Sequence, residues 1–223
     1  FKAYVFYSSQ TLTSSLYDFT SHTFTNCGKT GREGPTLEEC TTTYASVSWT
    51  SDTNFFNMTT QGIQEWTVPI NGEYKIKAWG ADAVNRSGGR GGIIEATFTL
   101  NEGEVIKILC GQRPYPYDGN NGSGAGGTFV VRSPYNNIDS VLVVAGGGGG
   151  GHNMSGNEDE GSGGFYSDGR GGKGTSNYSG GTNGNAGTAS SGSAGAGFLT
   201  NGSGSYIGSN TSWHAKSFVN GGV

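Results

Sequence analysis

Charged residues are scarce in this chain: Asp, Glu, Lys and Arg make up 13% of its 223 residues, and the formal charge is −4. Coiled coils and charge-driven disordered tails need far more, and a nucleic-acid partner would require a basic footprint that is missing. No apolar run approaches the roughly 20 residues of a membrane helix. Helical periodicity is absent as well. No charged segment followed by an apolar one opens the chain, so no leader peptide is expected within these residues.

Glycine is abundant instead, with 43 residues unevenly placed. Five fall in residues 1–79, twelve in 80–127, none in 128–145 and 26 in 146–223. The step of three at Gly181, Gly184 and Gly187 breaks at Ser190, which excludes collagen. The glycine-rich end also carries Phe165, Tyr166, Tyr178, Phe198, Leu199, Tyr206, Ile207, Trp213 and Phe218. A flexible linker has no use for so many large apolar groups. Polyproline-II-like glycine helices laid side by side would order this tail, because they can exchange the backbone hydrogen bonds that a single one lacks.

Alternation of period two marks the strands. It is clear in Glu73–Trp79 and Ile93–Leu100, while Lys2–Tyr7 and Thr41–Thr50 are β-rich runs. Asn101-Glu102-Gly103 reads as the turn of a hairpin into Glu104–Cys110. A second hairpin is expected from Thr128–Arg132 to Ser140–Ala145. About eight strands with turns between them predict an antiparallel sandwich or jelly roll.

Material for catalysis is thin. His22, His152 and His214 are scattered and belong to no metal or nucleophile motif. Glu158-Asp159-Glu160 lacks the oxygen spacing of a calcium loop. The run from Val141 to Gly151 formally contains G-x-G-x-x-G, but no helical pattern follows to hold a pyrophosphate. Gly28-Lys29-Thr30 fails as a phosphate loop because Thr23 stands where the first glycine should be. The expectation is a protein without enzymatic activity, cofactor or metal.

Three cysteines leave one unpaired. Cys27 and Cys40 bracket a turn-rich segment and are either a pair of reduced thiols or a disulfide, which over so short a loop contributes about 3 kcal/mol. Cys110 ends an apolar run and is expected to be a buried thiol, with a bond to another chain as the alternative. Seven N-x-[ST] triplets, at Asn57, Asn85, Asn121, Asn153, Asn177, Asn201 and Asn210, are candidate glycosylation sites and favour a secretory route.

Several segments combine into a resemblance. Phe24–Tyr44 (FTNCGKTGREGPTLEECTTTY) is followed in order by Gly62–Ala81, Ile106–Gln112, Gly124–Val131, Val141–Gly151 and Ser205–Asn210. This resembles the extracellular glycine-rich module of the anaplastic lymphoma kinase and leukocyte tyrosine kinase family. The resemblance implies a tumour-necrosis-factor-like jelly roll carrying a polyglycine-II bundle, and a Cys27–Cys40 disulfide. Cys110 departs from the family, where a branched aliphatic residue is usual.

The expected organisation is thus all-β: an N-terminal β arm over 1–20, a sandwich over 21–145 and a polyglycine-II region over 146–223. The arm can complete the chain's own sheet or add to a neighbour's edge, and in the second case Lys2, Tyr4, Val5, Phe6 and Tyr7 are candidates for linking copies. The first functional expectation is a secreted or cell-surface structural or adhesive glycoprotein, self-associating into a fibre, appendage or matrix. A cytokine-binding receptor tyrosine kinase ectodomain and a viral fibre-tip adhesin are the alternatives. Partners would be other copies, an extracellular protein ligand or glycans, with no nucleic acid and no membrane span in this segment.

Overall fold

The computed structural model describes residues 1–7, 15–83, 90–114, 124–148, 183–186, 196–202 and 215–222. Among these the strands are β1 (Lys2–Tyr7), β2 (Ser21–Thr25), β3 (Phe56–Thr60), β4 (Ile63–Thr67), β5 (Gly72–Trp79), β6 (Ile93–Leu100), β7 (Val105–Leu109), β8 (Thr128–Val131) and β9 (Val141–Ala145). They form two antiparallel sheets, ordered β2-β1-β5-β6 and β3-β4-β7-β8-β9. The fold class is all-β, as the alternation predicts.

Alternation places one face of each strand in the core. Ala3 and Val5 of β1 and Tyr74, Ile76 and Ala78 of β5 are fully buried, and they face Trp66, Ile106, Ile108 and Val130 of the other sheet. Aromatic rings fill the space between. Phe24, Trp49, Phe56, Trp66 and Tyr74 form a continuous cluster, with neighbouring centroids 5.6–6.5 Å apart. Each ring buries a large apolar area, and edge-to-face or tilted pairing adds to that burial. Trp66 donates its indole N–H to the Tyr17 hydroxyl at 2.6 Å, which satisfies a buried donor.

Strand β8 is buried along its whole length. Val130 faces the sandwich core, whereas Phe129 and Val131 point to the opposite side, where the chain's C-terminal part returns to cover them. Phe198 and Phe218 stack at 5.3 Å, and Phe129 lies 6.4 and 5.9 Å from them. Three of the tail's large apolar residues, Phe198, Leu199 and Phe218, therefore pack on the sandwich. Phe165, Tyr166, Tyr178, Tyr206, Ile207 and Trp213 lie outside the described residues.

Three expectations are corrected. Thr41–Thr50 is not a strand: a short helix, α1 (Leu37–Thr43), precedes a 3-10 turn over Ser48–Ser51. Thr36 caps α1, its hydroxyl accepting from the Glu39 amide while the Glu39 carboxylate accepts from the Thr36 amide, a reciprocal box that outweighs the β-branched composition. Asn101–Gly103 does not close a hairpin either. β6 pairs with β5, and β7 pairs with β4 and β8, so the turn carries the chain from one sheet to the other. Reciprocal bonds between Val68 and the turn, Val68 N to Glu104 O and Gly103 N to Val68 O, fix this corner. The linking arm is the third correction. β1 pairs with β2 on one side and β5 on the other, so Lys2, Tyr4, Val5, Phe6 and Tyr7 offer no free edge to a second copy. The hairpin from β8 to β9 forms as expected, with a register shift at Val130.

At one end of the sandwich the chain leaves β5, β7 and β9 and re-enters β6 and β8. The emerging segments bond to one another through the backbone. Gly80 N donates to Gly92 O, Gly92 N to Gly146 O, Ala81 N to Gly126 O, Gly148 N to Ala81 O and Ala125 N to Gly148 O, all at 2.8–3.0 Å. Such packing leaves no room for side chains. A Cβ on Gly80 would lie 1.9 Å from Gly146 O, and one on Gly147 would lie 2.1 Å from Ala125 O. The run after β9, tested above as a nucleotide loop, thus begins as a laterally bonded layer.

Substitution of Gly80 by Ala forces these backbones apart and is expected to cost about 1–3 kcal/mol. Phe218→Ala, which opens the tail's contact with β8, should cost about 3–5 kcal/mol. Urea denaturation of each variant against the parent checks both values.

Candidate functional site

The candidate residues of the first half gather where the two sheets meet. Cys27 and Cys40 are joined by a disulfide, which ties the chain just after β2 to α1. Beside it lies a polar cross-link inside the core. Gln64 of β4, fully buried, donates to Thr25 O and accepts from the Tyr44 hydroxyl, each at 2.8 Å. Tyr44 in turn accepts from the Thr25 amide at 2.7 Å. This network joins the two sheets through satisfied groups, as a buried amide requires. Cys110 lies against Gln64, 3.8 Å from its amide nitrogen. Burial pushes the Cys110 thiol up to about 12, so it is inert as a nucleophile.

His22 faces inward from β2 into a cage of rings. Its centroid is 4.6 Å from Phe24, 4.6 Å from Tyr44 and 4.9 Å from Trp49, each edge-on. Its Nε2 is buried without a hydrogen-bond partner. Burial lowers its pKa to about 4. This is a core histidine rather than a general base. His152, His214 and Glu158–Glu160 lie outside the described residues.

Of the sequon asparagines, Asn57 sits half-buried on edge strand β3, opposite Glu65, and its side-chain oxygen accepts from the Met58 amide at 2.8 Å. The Asn201 side-chain oxygen accepts from the Ser217 amide and from the Asn220 amide group at 2.8 and 3.0 Å, which fastens the returning tail. Asn85, Asn121, Asn153, Asn177 and Asn210 lie outside the described residues.

Sequence reasoning missed one surface. The sheet containing β1 and β5 keeps an outer face on which Lys2, Tyr4 and Phe6 stand opposite Trp79, Lys77 and Lys75. Lys75 and Lys77 both reach Glu95 of β6, at 3.2 and 3.7 Å. Lys2 and Lys77 hold their ammonium groups over the Trp79 ring, 4.9 and 5.2 Å from its centroid. Beyond Trp79, next to the glycine layer, lies a depression of about 510 Å³ lined by Trp79, Asp82, Arg90, Ile93 and Arg113, with Phe1 at its side. Asp82 accepts from the Gly91 amide at 3.0 Å and faces Arg113 at 3.8 Å. The only signal in the sequence was Trp79 at an outward position of an otherwise Lys/Glu face.

The fold is an all-β sandwich with one exposed aromatic and basic face, and no metal-ligating cluster occurs among the described residues. No family model matches the chain. It is similar to the leukocyte tyrosine kinase receptor of Mus musculus, 34% identical over 100 residues, which cover 40% of this chain and 11% of that receptor. The chain therefore corresponds to about a tenth of the relative's length.

The His22 cage generates a pH dependence. Between the usual 6.5 and about 4, the unfolded imidazole is protonated while the folded one stays neutral. Stability from this group is complete above pH 6.5 and falls as pH drops, by about 1.4 kcal/mol per unit and about 3 kcal/mol in all. Below pH 4 the effect levels off. Denaturation of the parent and His22→Leu between pH 4 and 7 should show the slope reduced by that amount in the variant; equal slopes would contradict the assignment.

Proposed function

We propose that this chain is an extracellular, non-catalytic, ligand-binding module of a larger receptor-type protein, and that it receives a protein ligand of the cytokine class. The similarity to the leukocyte tyrosine kinase receptor is the observation that carries this reading. The Cys27–Cys40 disulfide supports it, because such bonds persist in oxidising compartments. So does the outer face with Tyr4, Phe6 and Trp79 beside lysines, since aromatic and basic side chains are common anchors of protein interfaces.

The fibre reading has less support. Its linking element, β1, is used inside the sandwich, so self-association would need a different surface.

The test is to express the full-length open reading frame in cultured cells of the source type and label intact cells with a membrane-impermeant biotin reagent. The module should be labelled, and non-reducing peptide mapping should recover Cys27 bonded to Cys40 with Cys110 free. Asn57-containing peptides should shift in mass on glycosidase treatment. Protection from the label together with three free thiols would overturn the extracellular assignment.

A further inference from the structure

We infer that the depression beyond Trp79 binds a carboxylate-bearing peptide segment, an acidic residue flanked by an aliphatic or aromatic one. The inference deepens the ligand-binding reading and rests on it for its biological setting. Its chemistry comes from how the lining groups are engaged.

Arg113 is positioned but not consumed. Its guanidinium lies 5.5 Å over the Phe1 ring, and the nearest carboxylate oxygen among the described residues, on Asp82, is 3.8 Å away. That distance gives attraction without a hydrogen bond, so among the described residues no partner occupies the guanidinium donors. Asp82 is itself held by the Gly91 amide, and so serves to orient Arg113. Arg90 is exposed and has no hydrogen bond or ion pair among the described residues. Two arginines with unspent planar donors around one hollow suit a carboxylate, which guanidinium grips through two parallel bonds.

The surrounding charge has the same sense. On a chain of formal charge −4, Lys2, Lys77, Arg90 and Arg113 surround Trp79, against the carboxylates of Asp82 and Glu95. Apolar walls complete the site: Ile93 is 44% exposed and pairs across the sheet with Trp79. About 510 Å³ accommodates two or three side chains, within the usual range for small-ligand pockets. A linear sulfated glycan fits less well. It would need a row of free cations along the strand, and Lys75 and Lys77 are already paired with Glu95.

The glycine layer shapes the hollow. Gly80 and Gly91 line it without side chains, and a Cβ on Gly91 would lie 2.0 Å from Gly80 O, so only bare backbone lets the two ends of this connection meet between Trp79 and Arg90. The two ends of the β5–β6 connection, the start of the β7–β8 connection at Arg113 and Phe1 thus present one anion-binding corner.

The experiment is an NMR titration of the full chain, following the Trp79 indole resonance assigned with Trp79→Phe. The probes are acetyl-Glu-Leu-Glu-amide, acetyl-Lys-Leu-Lys-amide and a heparin-derived hexasaccharide. The acidic peptide should shift the Trp79 resonance saturably and weaken with ionic strength. Affinity should fall at least about tenfold in Arg90→Glu, an exposed change that leaves the spectrum of the core intact, and also in Arg113→Gln. An unmoved Trp79 resonance, an equal response to the lysine peptide, or unchanged affinity in Arg90→Glu would overturn the inference. Saturable displacement of the peptide by the hexasaccharide at lower concentration would overturn the choice of a peptide. Failure here leaves the cell-surface labelling result untouched, and an unlabelled module would refute the receptor reading even if the peptide bound.

Discussion

Close approach of bare backbone at one end of the sandwich is the constraint on which the rest of the molecule depends. Five segments meet there, and their amides and carbonyls satisfy one another across distances that admit no Cβ. Buried backbone groups must find partners, and here they find them outside any sheet. The glycines at Gly80, Gly91, Gly111 and Gly147 are therefore a packing requirement as well as a compositional bias. They let the chain leave and re-enter the strands as a bonded layer instead of as separate loops. The cost is the backbone entropy of ordering glycine, which a rigid body beneath the layer must offset.

That rigid body is the aromatic-filled sandwich. Its two sheets are joined by apolar contact between buried rings and by the Gln64–Tyr44–Thr25 cross-link, with the disulfide close by. Apolar burial contributes most of the free energy, while the buried amide fixes how the sheets sit over each other. On the far side, Phe198 and Phe218 anchor the returning tail to β8, leaving the β1–β5 face as the outward one. Body, layer and outward face together place Trp79, Arg90 and Arg113 at one corner.

Much of the sheet structure was legible as period two, because one buried and one exposed face leave that mark on Glu73–Trp79 and Ile93–Leu100. What periodicity could not say was which sheet the next strand joins. A hairpin and a corner between sheets bury alternate residues equally, and Val68, distant in sequence, decides between them at Gly103. The helix over Leu37–Thr43 has only two turns, too few for a 3.6-residue pattern, and its capping pair Thr36 and Glu39 was the available signal. β1 was legible as a strand but not as an interior one, since its alternation is the same with one edge paired or two. The corner was hidden because Arg113 comes from the β7–β8 connection and the remaining members from opposite ends of the β5–β6 connection, with no spacing that marks them as neighbours.

The central claim is that the glycine segments are an ordered, hydrogen-bonded extension of the sandwich. Site-resolved amide hydrogen exchange tests it most directly. The amides of Gly80, Gly92, Gly126 and Gly148, each bonded to a neighbouring segment, should exchange as slowly as those in the middle of β5 and β7. Exchange of these four at the rate of an unstructured chain, with the strands still protected, would contradict it.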